Sequence, residues 1–391
     1  MQQTPGRRYD PPAVTGTFTT RDELLEQATK QTGLDDFGDV PFADALDAVV
    51  DALNDDTRVE ARVRARAAEM LTGVLVKRLR LVDDRTQHPD IAEESVTAPV
   101  FIVGQPRSGS THLHALLACV DGVRAPRLWE LSVPSPPPER ATYDSDPRIA
   151  AVQAGVDATP AEMQVRHPTS ATRPEQCNGL LEWSFLNQAW MANYDIPSYR
   201  DWFLDADYAS LYEAHRRTLQ QLQWHYPGRW VLKYPKHLLS LDALLARYPD
   251  AALIWTHRDP AEVLPSAVSL TGYMRSLNSR NYSPVRFARE WVVIEELALQ
   301  RGLATRDRDA NEARHVDVDY PSLMRDPVAT VASVCDRIDM PFDDASRGAV
   351  QQWLDDNPQD KHGVHRYTAA DFGLDPDRLR ARFDFYAGRF T

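Results

Sequence analysis

Three short stretches of this chain end in residues that can hold an anion. The first is GQPRSGST, residues 104–111. Gly104 and Gly109 have the spacing of the phosphate loop G-x-x-x-x-G-K-[ST], and Thr111 closes it. The lysine position is Ser110, and the only cation of the loop is Arg107. The second stretch, WVLKYPKH, carries Lys233, Lys236 and His237. The third, ALIWTHRDP, carries His257 and Arg258, with Ser266 further on. A glycine loop that opens a helix cradles a phosphate with backbone N–H groups alone. Ser108, Ser110 and Thr111 add hydroxyl donors. Two parts of a nucleoside triphosphatase are missing. There is no lysine for the β- and γ-phosphates, and no acid at the neighbouring strand end to help hold magnesium. A nucleotide without a γ-phosphate fits better, one that carries a second phosphate elsewhere. Arg258 and Ser266 suit that second phosphate if Pro260 starts a helix.

The elements that would position these residues are legible nearby. Val100–Val103 is a continuous apolar run, as expected of a strand buried on both faces. It feeds the glycine loop, and STHLHALLA follows as a helix. Strands are expected again at RWVLKY from 229 and AALIWTHR from 251, with HVDVDY from 315 as a weaker fourth. Helical stretches such as LLSLDALLARY and RFAREWVVIEELALQ separate them. This alternation predicts a parallel sheet, at whose carboxyl edge ligands bind. The fold class expected is α/β: a P-loop-like three-layer sandwich with a central parallel sheet flanked by helices, plus an N-terminal helical region. The helical region is placed at 1–95 and the main domain at 96–391. In the former, Thr20 and Glu23 have capping-box spacing, and FADALDAVVDAL puts Leu46, Val49, Val50 and Leu53 on one face. Residues 133–147, rich in proline, read as a surface loop.

Composition narrows the function. The chain has 391 residues and a net charge of −13, which argues against a general nucleic-acid surface. An anionic ligand must therefore be held by a local cluster of cations. No run is long and apolar enough for a transmembrane helix. The N-terminus, MQQTPGRRYDPPAVTG, lacks the apolar core of a signal peptide. Cys119, Cys177 and Cys335 have neither zinc-site nor disulfide spacing. A cytoplasmic protein is the expectation.

FIVGQPRSGSTHLHALL, WVLKYPKHLLSLDALLARYPDAALIWTHRDPAEVLPS and KHGVHRYTAADFGLDPDRL together resemble the bacterial sulfotransferases, over about residues 95 to 385. The resemblance implies 3′-phosphoadenosine 5′-phosphosulfate (PAPS) as co-substrate, with no metal. It implies that Arg107, Ser108, Gly109, Ser110 and Thr111 hold the 5′-phosphosulfate, and that Arg258 and Ser266 hold the 3′-phosphate. Lys233 matches the lysine of an L-K-x-x-H-type segment, with His237 at a longer spacing. Glu130, in RAPRLWEL, lies near the place of the catalytic glutamate of tyrosylprotein sulfotransferases. Lys361 and HGVHRY are matched to a segment that closes over the co-substrate.

Sulfuryl transfer needs cations on the bridging oxygen and a base for the acceptor hydroxyl. Arg107 and Lys233 suit the first task. For the second, Glu130 is favoured over His237, against the alternative that Glu130 is a surface or first-turn carboxylate. Trp183, Phe185, Trp190 and Tyr194 are read as core or as the lining of an apolar acceptor pocket. Glu175, in TRPEQC, either faces that pocket or caps a helix. His112 and His114 do not share a helix face, so they are not read as a metal pair. The activity expected is sulfation of a hydroxyl on a small molecule, lipid or glycan. The rival readings are a P-loop small-molecule or nucleoside kinase, and a nucleotide-binding protein without turnover.

Overall fold

The computed structural model describes residues 18–55, 59–279, 281–358 and 367–390. Its centre is a five-stranded sheet in the order β2-β3-β1-β4-β5, with every neighbouring pair parallel. The strands are β1 (Val100–Gly104), β2 (Val123–Arg124), β3 (Arg229–Lys233), β4 (Ala252–His257) and β5 (His315–Asp319). Four of them stand where the apolar runs place them. β2 has only two residues, too few to leave a periodic signal, and extends the sheet beside β3.

Alternate residues of each strand feed different cores, as the pleat requires. Phe101, Val103, Trp230, Leu232, Leu253 and Trp255 join one apolar cluster. Val100, Ile102, Val231, Ile254, Val316 and Val318 join another. Helices cover both faces, which gives three layers. Ser110–Leu117 and Pro327–Arg337 lie over the second cluster, and Leu241–Arg247 and Pro284–Arg308 over the first.

The N-terminal helices Arg21–Thr32, Ala43–Asp55 and Ala61–Gln87 enter the same cluster as Phe101, through Leu24, Leu46, Leu53, Leu71 and Leu75. Thr20 and Glu23 form the expected capping box. Buried Arg78 ties this region down by donating to the carbonyls of Phe37, Val40 and Trp183. The proline-rich segment is not wholly superficial, because it turns Tyr143 inward to 5% exposure.

Candidate active site

The loop is shaped by two glycines with positive φ. At Gly104, φ is 129°, and a Cβ there would come within 2.4 Å of the Thr256 carbonyl oxygen. At Gly109, φ is 91°, and this residue caps the helix Ser110–Leu117. Arg107 is left-handed as well, at φ 70°, and its side chain is exposed. Buried Ser108 turns its hydroxyl inward, 2.6 Å from the Gln105 carbonyl and 2.6 Å from Thr256 Oγ1. Its side chain therefore holds the loop in shape, and its backbone N–H is what it can offer a ligand.

The cations converge on this loop from two sides. Arg107 Nε donates to Ser266 Oγ at 3.1 Å, and Arg258 Nη1 donates to the Arg107 carbonyl at 3.3 Å. The Arg258 guanidinium lies 4.0 Å from the centre of the Tyr320 ring. Ser266 reaches this place because Pro260 and the N-cap Asp259 start the helix Pro260–Ser276 directly after β4. On the other side, Lys233 Nζ donates to Thr111 Oγ1 at 3.3 Å and to Gln176 Oε1 at 3.4 Å. Burial lowers the Lys233 pKa, while Glu175 nearby favours the charged form.

Other strand-end cations turn away. Lys236 is buried in an ion pair with Glu295. His257 is 2.7 Å from both the Tyr386 hydroxyl and Asp317, which ties the C-terminal helix Asp384–Phe390 to β5. His237 is 1% exposed, with Nδ1 2.9 Å from the Tyr212 hydroxyl. One ring nitrogen lies within 4.8 Å of Cys177 and of His215 in the core, and burial pushes its pKa well below the ordinary imidazole value. It does not open onto the loop.

Glu130 is also enclosed, at 0% exposure. One carboxylate oxygen accepts from Arg124 Nη2 at 2.6 Å. The other accepts from the Arg127 N–H at 2.9 Å and the Tyr143 hydroxyl at 2.7 Å. Three of its roughly four acceptor sites are taken and none of its surface is exposed, so an acceptor hydroxyl does not reach it. The base expected at Glu130 is corrected to a buried first-turn cap. Phe185, Trp190 and Tyr194 belong to the main apolar cluster and Trp183 to a smaller one, so they are core. Lys361, His362 and His365 lie outside the described residues. Tyr367, just after them, is close enough to Arg107 to act on its charge.

The acid the fold does bring to the site is Glu175. Its segment is fixed by a bridge between Arg127 and Pro174, and the Cys177 N–H donates to the Lys233 carbonyl at 3.0 Å. Glu175 accepts from the Gln176 N–H at 2.8 Å and from Thr169 Oγ1 at 3.3 Å, and lies 3.8 Å from His167 Nε2. Burial alone would raise its pKa. Hydrogen bonding and charge from His167, with the Lys233 charge and the Gln176 N–H, bring it down to about 2. Its hydrogen-bond partners lie within eight residues, and only the Lys233 charge comes from a distant element.

A parallel α/β sheet with a lysine-free phosphate loop and cations at three strand ends defines a class of anion-handling proteins. Within that class, the sulfotransferase family model matches residues 99–344. The chain belongs to the sulfotransferase family, and family membership makes it a transferase. It is 24% identical over 281 residues to omega-hydroxy-beta-dihydromenaquinone-9 sulfotransferase Stf3 of Mycobacterium bovis and of Mycobacterium tuberculosis, covering 69% of this chain and 70% of theirs. It superposes on sulfotransferase STF1 of Mycobacterium tuberculosis H37Rv with a TM-score of 0.82 at 30% identity, over 94% of this chain and 99% of that one. For sulfotransferase STF9 of Mycobacterium avium the TM-score is 0.88 at 27% identity, over 97% and 98%. Among the described residues, no helix is long and apolar enough to cross a membrane.

Proposed function

We propose that this enzyme transfers the sulfuryl group of PAPS to a hydroxyl of a small-molecule, lipid or glycan acceptor. The observation that carries the donor assignment is the contact between Arg107 and Ser266, with Arg258 on the Arg107 carbonyl. It supports a second anion position beside the loop, as a nucleotide with a 3′-phosphate requires. The backbone of residues 107–111 and the first turn of Ser110–Leu117 receive the 5′-phosphosulfate. Arg258 and Ser266 receive the 3′-phosphate. Lys233, reaching past Thr111, and Arg107 are suited to stabilise the charge that grows on the bridging oxygen as the S–O bond breaks. Lys361 is retained here as a candidate co-substrate contact.

The Stf3 relatives are named for a hydroxylated dihydromenaquinone, omega-hydroxy-beta-dihydromenaquinone-9, which favours a hydroxyl acceptor for this chain. Residues 1–95 are proposed as a helical region packed on the transferase domain 96–391.

The donor assignment is tested by thermal unfolding. Adenosine 3′,5′-bisphosphate binds only the folded state and should raise Tm by mass action. AMP should raise it less, and Arg258→Ala should narrow the gap between the two. Equal stabilisation of the wild type by both nucleotides would contradict the 3′-phosphate site.

A further inference from the structure

With Glu130 and His237 enclosed, the acceptor hydroxyl needs another proton acceptor on the open side of the loop. We propose that His167 is that base and that Glu175 is its positioning residue, an inference that rests on the sulfuryl-transfer reading above. Glu175 stands between the two groups that the chemistry needs. On one side the adjacent Gln176 accepts from Lys233 Nζ at 3.4 Å, and Lys233 serves the leaving oxygen. On the other the Glu175 Oε2 is 3.8 Å from His167 Nε2. The His167 side chain is 30% exposed, against 17% for Glu175, so the ring is the member of the pair that an incoming hydroxyl meets first.

The chemistry favours the same division of labour. The Lys233 charge and the Gln176 N–H favour the ionised, weakly basic form of Glu175. An imidazole is matched to neutral pH, and an adjacent carboxylate stabilises the imidazolium that forms. A separation of 3.8 Å is loose for a hydrogen bond, and such contacts tighten when substrate is bound.

The ring is also placed by the donor-binding elements. The His167 N–H caps the helix Ala161–Arg166 by donating to the Met163 carbonyl at 2.7 Å. Arg166 fastens that helix to Pro260–Ser276, donating to the Ser269 carbonyl at 3.0 Å and its hydroxyl at 2.7 Å. Ser266 belongs to the same helix. The charged groups next to the ring are Glu175 and Arg166, whose guanidinium is directed to Ser269 and Glu162.

The step balances. The acceptor O–H bond breaks and its proton passes to the His167 ring. The acceptor oxygen forms a bond to sulfur. The bridging S–O bond breaks, and its electron pair stays on the 5′-phosphate of the departing bisphosphate, beside Lys233 and Arg107. His167 then returns the proton to solvent.

The test uses the full chain, labelled PAPS and a total lipid and metabolite extract as the acceptor pool. His167→Gln and His167→Asn should each lower labelled ester formation about 10²–10⁴-fold, the contribution of a general base. Both should keep the bisphosphate-induced rise in Tm. Glu175→Gln should lower turnover while keeping the bisphosphate-induced rise in Tm. Glu175→Asp should recover part of the lost turnover. Wild-type turnover in both His167 variants overturns the proposal. So does an inactive Glu175→Gln beside an active His167→Gln, which makes Glu175 the base. Wild-type turnover in Glu175→Gln overturns the pairing. Failure of the wild type to bind the bisphosphate or form any labelled ester overturns the donor reading instead, and the inference falls with it.

Discussion

The rim of the site and the core beneath it contain the same residue types in different company. At the rim are Glu175 and His167, partly exposed, with the Lys233 charge acting on Glu175. In the core are Glu130 and His237, at 0% and 1% exposure. Each oxygen of Glu130 already accepts a hydrogen bond, whereas His167 leaves nearly a third of its surface to solvent. Residue type therefore does not separate a structural acid from a reactive one. What separates them is whether the neighbours leave a direction from which a substrate can approach.

The sharpest test of this contrast is on the core carboxylate. Glu130→Gln leaves Arg124 buried without its counter-ion, and breaking such a pair costs about 3–5 kcal/mol. Urea denaturation should report that loss, while the remaining folded protein keeps its bisphosphate-induced rise in Tm. A Glu130→Gln variant of wild-type stability but without turnover would return Glu130 to the role of base.

A smaller effect is expected from His114, which lies under the loop with Nε2 3.0 Å from the Val231 carbonyl. Burial, and then the Lys233 charge, lower its pKa to about 4. The unfolded chain titrates near the ordinary value of about 6.5. Stability held by the neutral ring is thus complete above about pH 6.5 and is lost as pH falls toward 4, by up to about 3 kcal/mol. His114→Gln should flatten the fall of the urea midpoint over that window. An unchanged slope would mean that the ring is not held neutral.

Which parts were legible in the sequence follows from the range of the interactions. The loop, its helix and the strand-end positions of Lys233 and Arg258 are set within a few residues, by glycine spacing and apolar runs. Ser266 was reachable because Pro260 fixes the helix start. Glu130 needed Arg124, Tyr143 and the Arg127 N–H, and its spacing after the loop could not reveal that they close around it. His237 and Lys236 follow the same strand as Lys233, but the chain coils into the short helix Pro235–Ser240 and buries both. The Glu175 segment meets Lys233, through Gln176, only after β3 has joined the sheet beside β1, a register that no local pattern encodes.

The central claim is transfer of a sulfuryl group from PAPS to a hydroxyl without metal assistance. It is tested most directly by incubating the full chain with labelled PAPS and the same extract, with and without a chelator, and identifying labelled products by mass spectrometry. The account predicts a labelled sulfate ester in equal yield under both conditions. Absence of any sulfate ester, with phosphoryl transfer from ATP that requires magnesium, would contradict it.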